Sequence, residues 1–298
     1  MGKIMISKTQ ARLLASRPKT LTATLAPIFV GSAIALKHNP QVDYLLIVCA
    51  LLCTLCLQVC TNLVNDVSDF KKGTDDPNRL GPPRTAAQGW LSPTEIWIGV
   101  VLTVLLAMLF GAPLILAGGM PVVIIGIASI IAAIAYTAGP FPLAYLGLGE
   151  VFVLIFFGWV AVCGLAFNLT LDWPVPGAFL AGTQVGLLSV TMIAINNLRD
   201  IHGDRKANKN TLAARFGEKF IRTLIGVCFF SPYFLGLLWW PLSPAATLLP
   251  LIALPLGIIF FTGLQKTQPS REMNAFLGKA SLHLLIFGIL LSIALIWM

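Results

Sequence analysis

The chain has few charged residues. Asp, Glu, Lys and Arg make up 11% of its 298 residues, against about 25% in an ordinary soluble domain. Hydrophobic residues make up 57%, which exceeds the roughly 45–50% of soluble domains. This composition excludes a soluble globular protein. It predicts a protein that crosses a lipid bilayer several times and leaves little mass outside it.

Residues that bind soft metal ions are also scarce. The chain contains 3 His and 6 Cys. Four of the cysteines, between Cys49 and Cys60, recur every three or four residues, which is the spacing of one helix face. We therefore interpret them as helix packing and not as a metal or redox site.

Nine apolar runs, bounded by polar residues or by Pro and Gly, recur along the chain. Lengths near 20 residues predict membrane-spanning helices. The sequence therefore predicts an all-α polytopic membrane protein with nine transmembrane helices and its two termini on opposite sides. The runs cover 20–36, 44–65, 96–117, 121–138, 149–168, 178–198, 220–240, 245–264 and 281–298.

The basic residues lie almost entirely on one side of this topology. Nineteen of the 20 Lys and Arg residues precede the first run or follow an even-numbered run, and Lys37 is the exception. By the positive-inside rule, that side is the cytoplasm, with the N-terminus inside and the C-terminus outside the cell membrane. Topology thus accounts for the net charge of +8, and nucleic acid is not expected as a partner.

Acidic and amide residues form two clusters, one at the end of the second run and one at the end of the sixth. In each cluster, 100° per residue places the side chains within an arc of about 100° on one helix face. We expect the two faces to meet across a central cavity. The first cluster contains Gln58, Asn62, Asn65, Asp66 and Asp69, and the second contains Asn196, Asn197, Asp200 and Asp204.

The two clusters share an Asn-x-x-x-Asp core. Asn62 and Asn196 are 134 positions apart, as are Asp66 and Asp200. Four runs separate the two cores, so both fall on the same face of the membrane, which indicates an internal repeat. A single cluster of this kind would be interpreted as a solvated helix end, but two matched clusters favour a binding site.

The ligands in these clusters are oxygen atoms, which suit Mg²⁺. Converging carboxylates would repel each other without a metal, and a diphosphate could bind the metal and the neighbouring bases. The bases predicted to contact a diphosphate are Lys71, Arg79, Arg84, Arg205 and Lys209.

Five sequence strings stand out along the chain. They are RPKT from Arg17, QVCTNLVNDVSD from Gln58, RLGPPR from Arg79, YTAGPFPLAYLGLGE from Tyr136 and NNLRDIHGDRKANKNTLAARFG from Asn196. Together they resemble the UbiA superfamily of intramembrane aromatic prenyltransferases. The resemblance covers about residues 17 to 217, and the last three apolar runs add only their hydropathy to it.

The resemblance implies one prenyltransferase domain over residues 1–298, with its acidic motifs at 58–69 and 196–204. It also implies that Mg²⁺ binds the diphosphate of a polyprenyl donor, and that the four aspartates of the motifs are catalytic. The implied metal ligands are Asn62, Asp66, Asp69, Asn196, Asp200 and Asp204, with Gln58, Asn65 and Asn197 in support.

Within the superfamily, the strings are most similar to enzymes that prenylate 1,4-dihydroxy-2-naphthoate with loss of CO₂ in menaquinone synthesis. The candidates for binding this acceptor are Arg17, Lys19, Tyr136 and Tyr145. An enzyme acting on 4-hydroxybenzoate or homogentisate is an alternative. So is a secondary transporter, because internal repeats also occur in transporters.

Overall fold

The computed structural model describes residues 6–75 and 79–297, apart from the side chain of Lys19. Within these residues every regular element is helical, which confirms the all-α class. The helices are α1 (Lys8–Ser16), α2 (Pro18–Leu21), α3 (Leu25–His38), α4 (Tyr44–Lys71), α5 (Pro93–Gly118), α6 (Met120–Ala135), α7 (Gly149–Thr170), α8 (Ala178–Lys206), α9 (Leu212–Trp239), α10 (Pro244–Lys266) and α11 (Met273–Ile296).

Each predicted apolar run falls on a helix. Across the described residues, seven helices are long and apolar enough to cross a membrane, namely α4, α5 and α7 to α11. The runs at 20–36 and 121–138 correspond to α3 and α6, which have 14 and 16 residues. At 1.5 Å per residue, helices of this length span about 21–24 Å, less than the roughly 30 Å of a hydrocarbon core. The protein is a multi-pass helical protein, and nine spans stay a prediction.

Two helices continue beyond their predicted ends. The run predicted to end at residue 65 continues as α4 to Lys71, and the run predicted to end at 198 continues as α8 to Lys206. A hydropathy criterion ends an apolar run where charged residues begin. The helices continue past that point, and Asp66 and Asp204 on them are buried inside the protein. Both acidic motifs therefore lie on regular helix, which fixes their side chains in direction.

The helices form two groups with a cavity between them. Helices α3 and α7 to α11 share one hydrophobic cluster, and α1, α4, α5 and the end of α6 share another. The cavity between the groups has a volume of about 1100 Å³ and is lined by α3 to α8 and by the start of α11. The expected central cavity is present, and most of its wall is apolar.

Glycine allows α7 and α8 to pack closely. A Cβ atom at Gly158 would lie 2.6 Å from the carbonyl oxygen of Gly182, so Gly158 has no room for a side chain. Close approach at small residues is the usual way in which membrane helices pack. In α7, the segment Leu154–Val160 around this contact is π-helical. The contact fixes α8, and with it the second acidic motif, against α7.

Candidate functional site

The ends of α4 and α8 border a small polar pocket of about 80 Å³. Its wall combines acidic and amide side chains of both motifs with bases from the loops that follow them. Most of the residues predicted for the site line this pocket: Asn65, Asp69, Arg79, Arg84, Tyr136, Asn196, Asn197, Asp200, Asp204 and Lys209.

Ion pairs cross between the two motifs. Lys209, in the loop after α8, lies 3.3 Å from Asp69 of α4. Arg79, in the loop after α4, lies 3.5 Å from Asp200 of α8. Each loop thus brings a base to the acid of the other motif, and the pairs hold the two helix ends together.

Asp75 anchors the loop after α4. Its buried carboxylate pairs with Arg79 and lies 3.4 Å from Nε of Arg84. The structure thus places one buried acid beside both arginines. Burial lowers the pKa of Arg79, and the carboxylate of Asp200 opposes that shift. The two guanidinium groups are consequently held at the pocket wall.

Asp66 lies one turn from Asp69 but contacts different groups. Its carboxylate accepts hydrogen bonds from Oγ1 of Thr85 at 2.6 Å, from N of Thr85 at 3.1 Å and from N of Ala86 at 3.3 Å. It lines the large cavity and not the polar pocket. In this structure Asp66 holds the chain that follows Arg84.

Asn62 and Arg17 connect the N-terminal segment to α4. Nδ2 of Asn62 donates to the carbonyl oxygen of Ser16 at 2.9 Å, and Nη2 of Arg17 donates to Oδ1 of Asn65 at 3.0 Å. Burial and the nearby charge of Arg79 lower the pKa of Arg17 to about 10, so the group stays protonated at neutral pH. Arg17 and Asn62 line the large cavity beside the polar pocket.

Tyr145 is fixed against Asp69. Its hydroxyl donates to Oδ1 of Asp69 at 2.8 Å, and Nζ of Lys72 and Nζ of Lys209 lie 3.9 and 5.1 Å from its ring centroid. Burial and the Asp69 carboxylate raise the pKa of Tyr145, so the hydroxyl remains a donor.

Tyr136 lies where the two cavities meet, because it lines both. A Cβ atom at Gly149 would come within 2.9 Å of the Tyr136 hydroxyl. Because Gly149 has no side chain, the Tyr136 hydroxyl can occupy this position at the junction. Burial raises the pKa of Tyr136, so it is neutral there.

Several predicted residues lie elsewhere. Lys71 is exposed, and Arg205 is exposed with its Nε donating to the carbonyl oxygen of Ala214 at 3.0 Å. Neither lines the polar pocket or the large cavity. Gln58 lines the large cavity. The side chain of Lys19 lies outside the described residues.

Sequence reasoning missed two residues of the site, Arg199 and Asn274. Arg199 is 1% exposed, pairs with Asp200 and donates to Oδ1 of Asn196 at 2.6 Å. Asn274 accepts from Nη1 of Arg199 at 2.7 Å. Arg199 could have been predicted from the sequence, because it is a basic residue inside the second acidic motif. Asn274 is a single polar residue near the start of the last helix, and its neighbours in sequence carry no motif.

Glu150 is a buried acid behind the pocket. Nδ2 of Asn197 donates to its Oε1 at 2.8 Å. Because a carboxylate can only accept, this contact fixes the direction of the Asn197 amide, and Asn197 lines the pocket. Glu150 lies in the first turn of α7.

The donor set of the pocket fits Mg²⁺. The potential ligands on its wall are carboxylate and amide oxygens, and neither thiol nor imidazole is among its lining groups, as a hard cation requires. Within residues 6–75 and 79–297, no three His, Cys, Asp or Glu side chains lie close enough together to hold a metal ion. Arg79, Arg199 and Lys209 pair with the acids instead.

Comparison with known proteins agrees with this arrangement. The profile of the UbiA prenyltransferase family matches residues 24–285. A 1,4-dihydroxy-2-naphthoate octaprenyltransferase of Escherichia coli (strain K12) is 40% identical over 265 residues, covering 84% of this chain and 85% of that protein. The enzyme of the same name from Haemophilus influenzae is 35% identical over 297 residues, covering 94% of each chain.

The fold also has a solved counterpart. The structure of a UbiA homolog from Archaeoglobus fulgidus bound to DMAPP and Mg²⁺ superimposes with a TM-score of 0.63 at 17% identity, covering 96% of this chain and 99% of that chain. At 17% identity, this similarity shows the fold alone. The match over residues 24–285 and the relatives above together establish the family. The chain belongs to the UbiA prenyltransferase family.

Proposed function

We propose that the protein transfers a polyprenyl group from a polyprenyl diphosphate to 1,4-dihydroxy-2-naphthoate with loss of CO₂, giving demethylmenaquinol for menaquinone synthesis. One observation carries the proposal: the charged pocket adjoins an apolar cavity of about 1100 Å³, and the two share lining residues that include Arg79, Tyr136 and Asn196. A prenyl diphosphate has the same polarity, with a charged head and a long apolar tail. The names of the relatives support the choice of acceptor.

The polar pocket would hold the diphosphate head. Arg79, Arg84 and Lys209 lie on its wall and can donate charge-assisted hydrogen bonds to phosphate oxygens. Bound Mg²⁺ would neutralise the leaving diphosphate. Of the six predicted ligands, Asp69, Asn196, Asp200 and Asp204 line the pocket. Asp66 and Asn62, which line the large cavity, are the remaining two.

Transfer then takes place where the two cavities meet. The C1–O bond of the donor breaks with its electron pair on the diphosphate, and C1 bonds to the acceptor ring. The ring–carboxylate bond breaks, CO₂ leaves, and the bonding pair returns to the ring. Phe152, Phe156 and Phe157 line the cavity, and apolar walls keep water from the allylic cation.

The acceptor would bind at the same junction. Arg17 is half-buried, carries a positive charge and lines the large cavity, so it can pair with the naphthoate carboxylate. Tyr136 offers a neutral hydroxyl at the same junction. Lys19 and Tyr145 are the other proposed acceptor residues, and Tyr145 would act through its contact with Asp69.

The protein is further proposed to be a single domain over residues 1–298 in the cell membrane, with the pocket open to the cytoplasm. The last three long helices share the hydrophobic cluster of α3, α7 and α8, which supports one folding unit. The charge distribution supports the orientation.

The test is transfer by purified protein with Mg²⁺ and labelled octaprenyl diphosphate, with four aromatic acceptors offered separately and CO₂ release monitored. We expect product and CO₂ from 1,4-dihydroxy-2-naphthoate. We expect Asp200→Ala to lower kcat/KM by at least about 100-fold, because it removes a proposed ligand of the Mg²⁺ that would neutralise the leaving diphosphate. Asp172→Ala, at an exposed loop residue, is the matched control and should keep full activity. Product from 4-hydroxybenzoate and none from the naphthoate would overturn the proposal.

A further inference from the structure

Asn274, in the first turn of α11, lines the large cavity and contacts residues beside the polar pocket. Its Nδ2 donates to the carbonyl oxygen of Leu80 at 2.9 Å, and its Oδ1 accepts from Nη1 of Arg199 at 2.7 Å. One amide thus joins two parts of the site that are distant in sequence. These are the loop from Arg79 to Arg84 and the second acidic motif.

On the motif side, Asn274 completes the contacts of a buried guanidinium. Arg199 is 1% exposed. Its Nε donates to Oδ1 of Asp200 at 2.8 Å, and its Nη2 donates to Asn196 at 2.6 Å. With Nη1 on Asn274, each nitrogen of the group has a partner. Because a guanidinium is planar, these contacts fix its plane and with it the orientation of Asp200 and Asn196.

On the loop side, the backbone lies against two guanidinium groups. A Cβ atom at Gly81 would lie 2.7 Å from Nε of Arg79 and 2.8 Å from Nη2 of Arg199. The loop can therefore shift little without moving both groups. The hydrogen bond from Asn274 to Leu80 holds the loop in this place.

We propose that Asn274 is a positioning residue for diphosphate binding. It keeps the bases of the loop and the acids of the second motif in one fixed arrangement around the pocket. The inference rests on the proposed function only in taking a diphosphate as the ligand. The alternative is a purely structural role at the start of α11, since Nδ2 also donates to the carbonyl oxygen of Arg271 at 2.9 Å.

Measurements of diphosphate binding distinguish the positioning role of Asn274 from a purely structural role. The purified full chain is titrated calorimetrically with inorganic pyrophosphate and with geranyl S-thiolodiphosphate, both with Mg²⁺. These titrations measure the affinity for the diphosphate head group without turnover. We expect Asn274→Ala to weaken both ligands by at least about tenfold, because it removes a hydrogen bond to a charged group. In the transfer reaction, we expect KM for the donor to rise at least as much, with kcat within about threefold of the wild type.

Asn274→Asp provides a graded variant. A carboxylate still accepts from Arg199 but cannot donate to Leu80. We expect an affinity between those of the wild type and Asn274→Ala. Equal affinities for the two variants would instead place the whole effect on the contact with Leu80, and would contradict the joint role.

The matched control is Gln265→Ala in α10. Nε2 of Gln265 donates to the carbonyl oxygen of Arg222 at 3.3 Å, so it too joins a helix to a distant backbone group, but it lines neither cavity. We expect a lower melting temperature with unchanged affinity. The same result for Asn274→Ala would overturn the inference. Tight binding of the donor analogue with no transfer to the naphthoate would overturn the proposed function alone.

Discussion

At the residue scale, Asp66 and Asp69 of the first motif have different contacts. Asp69 faces the polar pocket and pairs with Lys209 and Tyr145, whereas Asp66 accepts three hydrogen bonds from Thr85 and Ala86. A shift of three residues turns a helix by about 300°, so the two side chains lie about 60° apart on one face. That small angle is enough to separate a group on the pocket wall from one that holds a loop.

Tyr145 tests how much the orientation of Asp69 matters. Tyr145→Phe removes the hydroxyl that donates to Asp69 at 2.8 Å and keeps the ring that Lys72 and Lys209 contact. A hydrogen bond to a charged group contributes about 1.5–3 kcal/mol. We expect kcat/KM for transfer to fall by about 10- to 100-fold, measured with saturating Mg²⁺.

The matched control for this variant is Tyr44→Phe. Tyr44 is 64% exposed at the start of α4, and its variant should keep wild-type rates. Full activity in Tyr145→Phe would show that the hydrogen bond from Tyr145 to Asp69 is not required for transfer.

At the element scale, the contact between α7 and α8 determines where the second motif lies. We expect Gly158→Ala to lower the melting temperature by several degrees, because its Cβ would lie 2.6 Å from the carbonyl oxygen of Gly182. Overpacking costs about 1–3 kcal/mol, and one kcal/mol corresponds to about 2–4 °C in a protein somewhat smaller than this one.

Gly126→Ala is the control for the same substitution in a membrane helix. A Cβ atom at Gly126 meets nothing within 4 Å, and alanine favours helix over glycine. We expect an unchanged or higher melting temperature in thermal unfolding of the detergent-solubilised protein. Equal melting temperatures for both variants would mean that α7 can move away from α8 without cost.

At the scale of the whole molecule, the number of spans determines which side each terminus faces. α3 and α6 are shorter than the other candidate spans, yet α3 packs against both α7 and α11. If both cross the bilayer, the C-terminus lies outside. We expect alkaline phosphatase to be active when fused after residue 298, and a green fluorescent protein fused there to be dark.

A shorter fusion provides the control for this topology. The same reporters placed after residue 270, beyond the end of α10, should give the opposite signals, because one span fewer precedes them. A fluorescent C-terminal fusion with inactive phosphatase would mean an even number of spans, and would contradict the predicted orientation.

The sequence by itself determined the class of protein and half of the site. Its apolar runs predicted helices at the right places because hydropathy is a local property of the chain. The spacing of Asp69, Asn196, Asp200 and Asp204 placed them on helix faces that do line the pocket, since helix geometry alone sets those directions.

Tertiary structure decided which of the remaining polar residues belong to the site. Lys71 and Arg205 are closer to the motifs in sequence than Arg79 and Lys209, yet the structure leaves the first two exposed. Asn274 joins the site from the far end of the chain. Loop paths and contacts between distant helices depend on the packing of the whole bundle, and no periodicity within one segment encodes them.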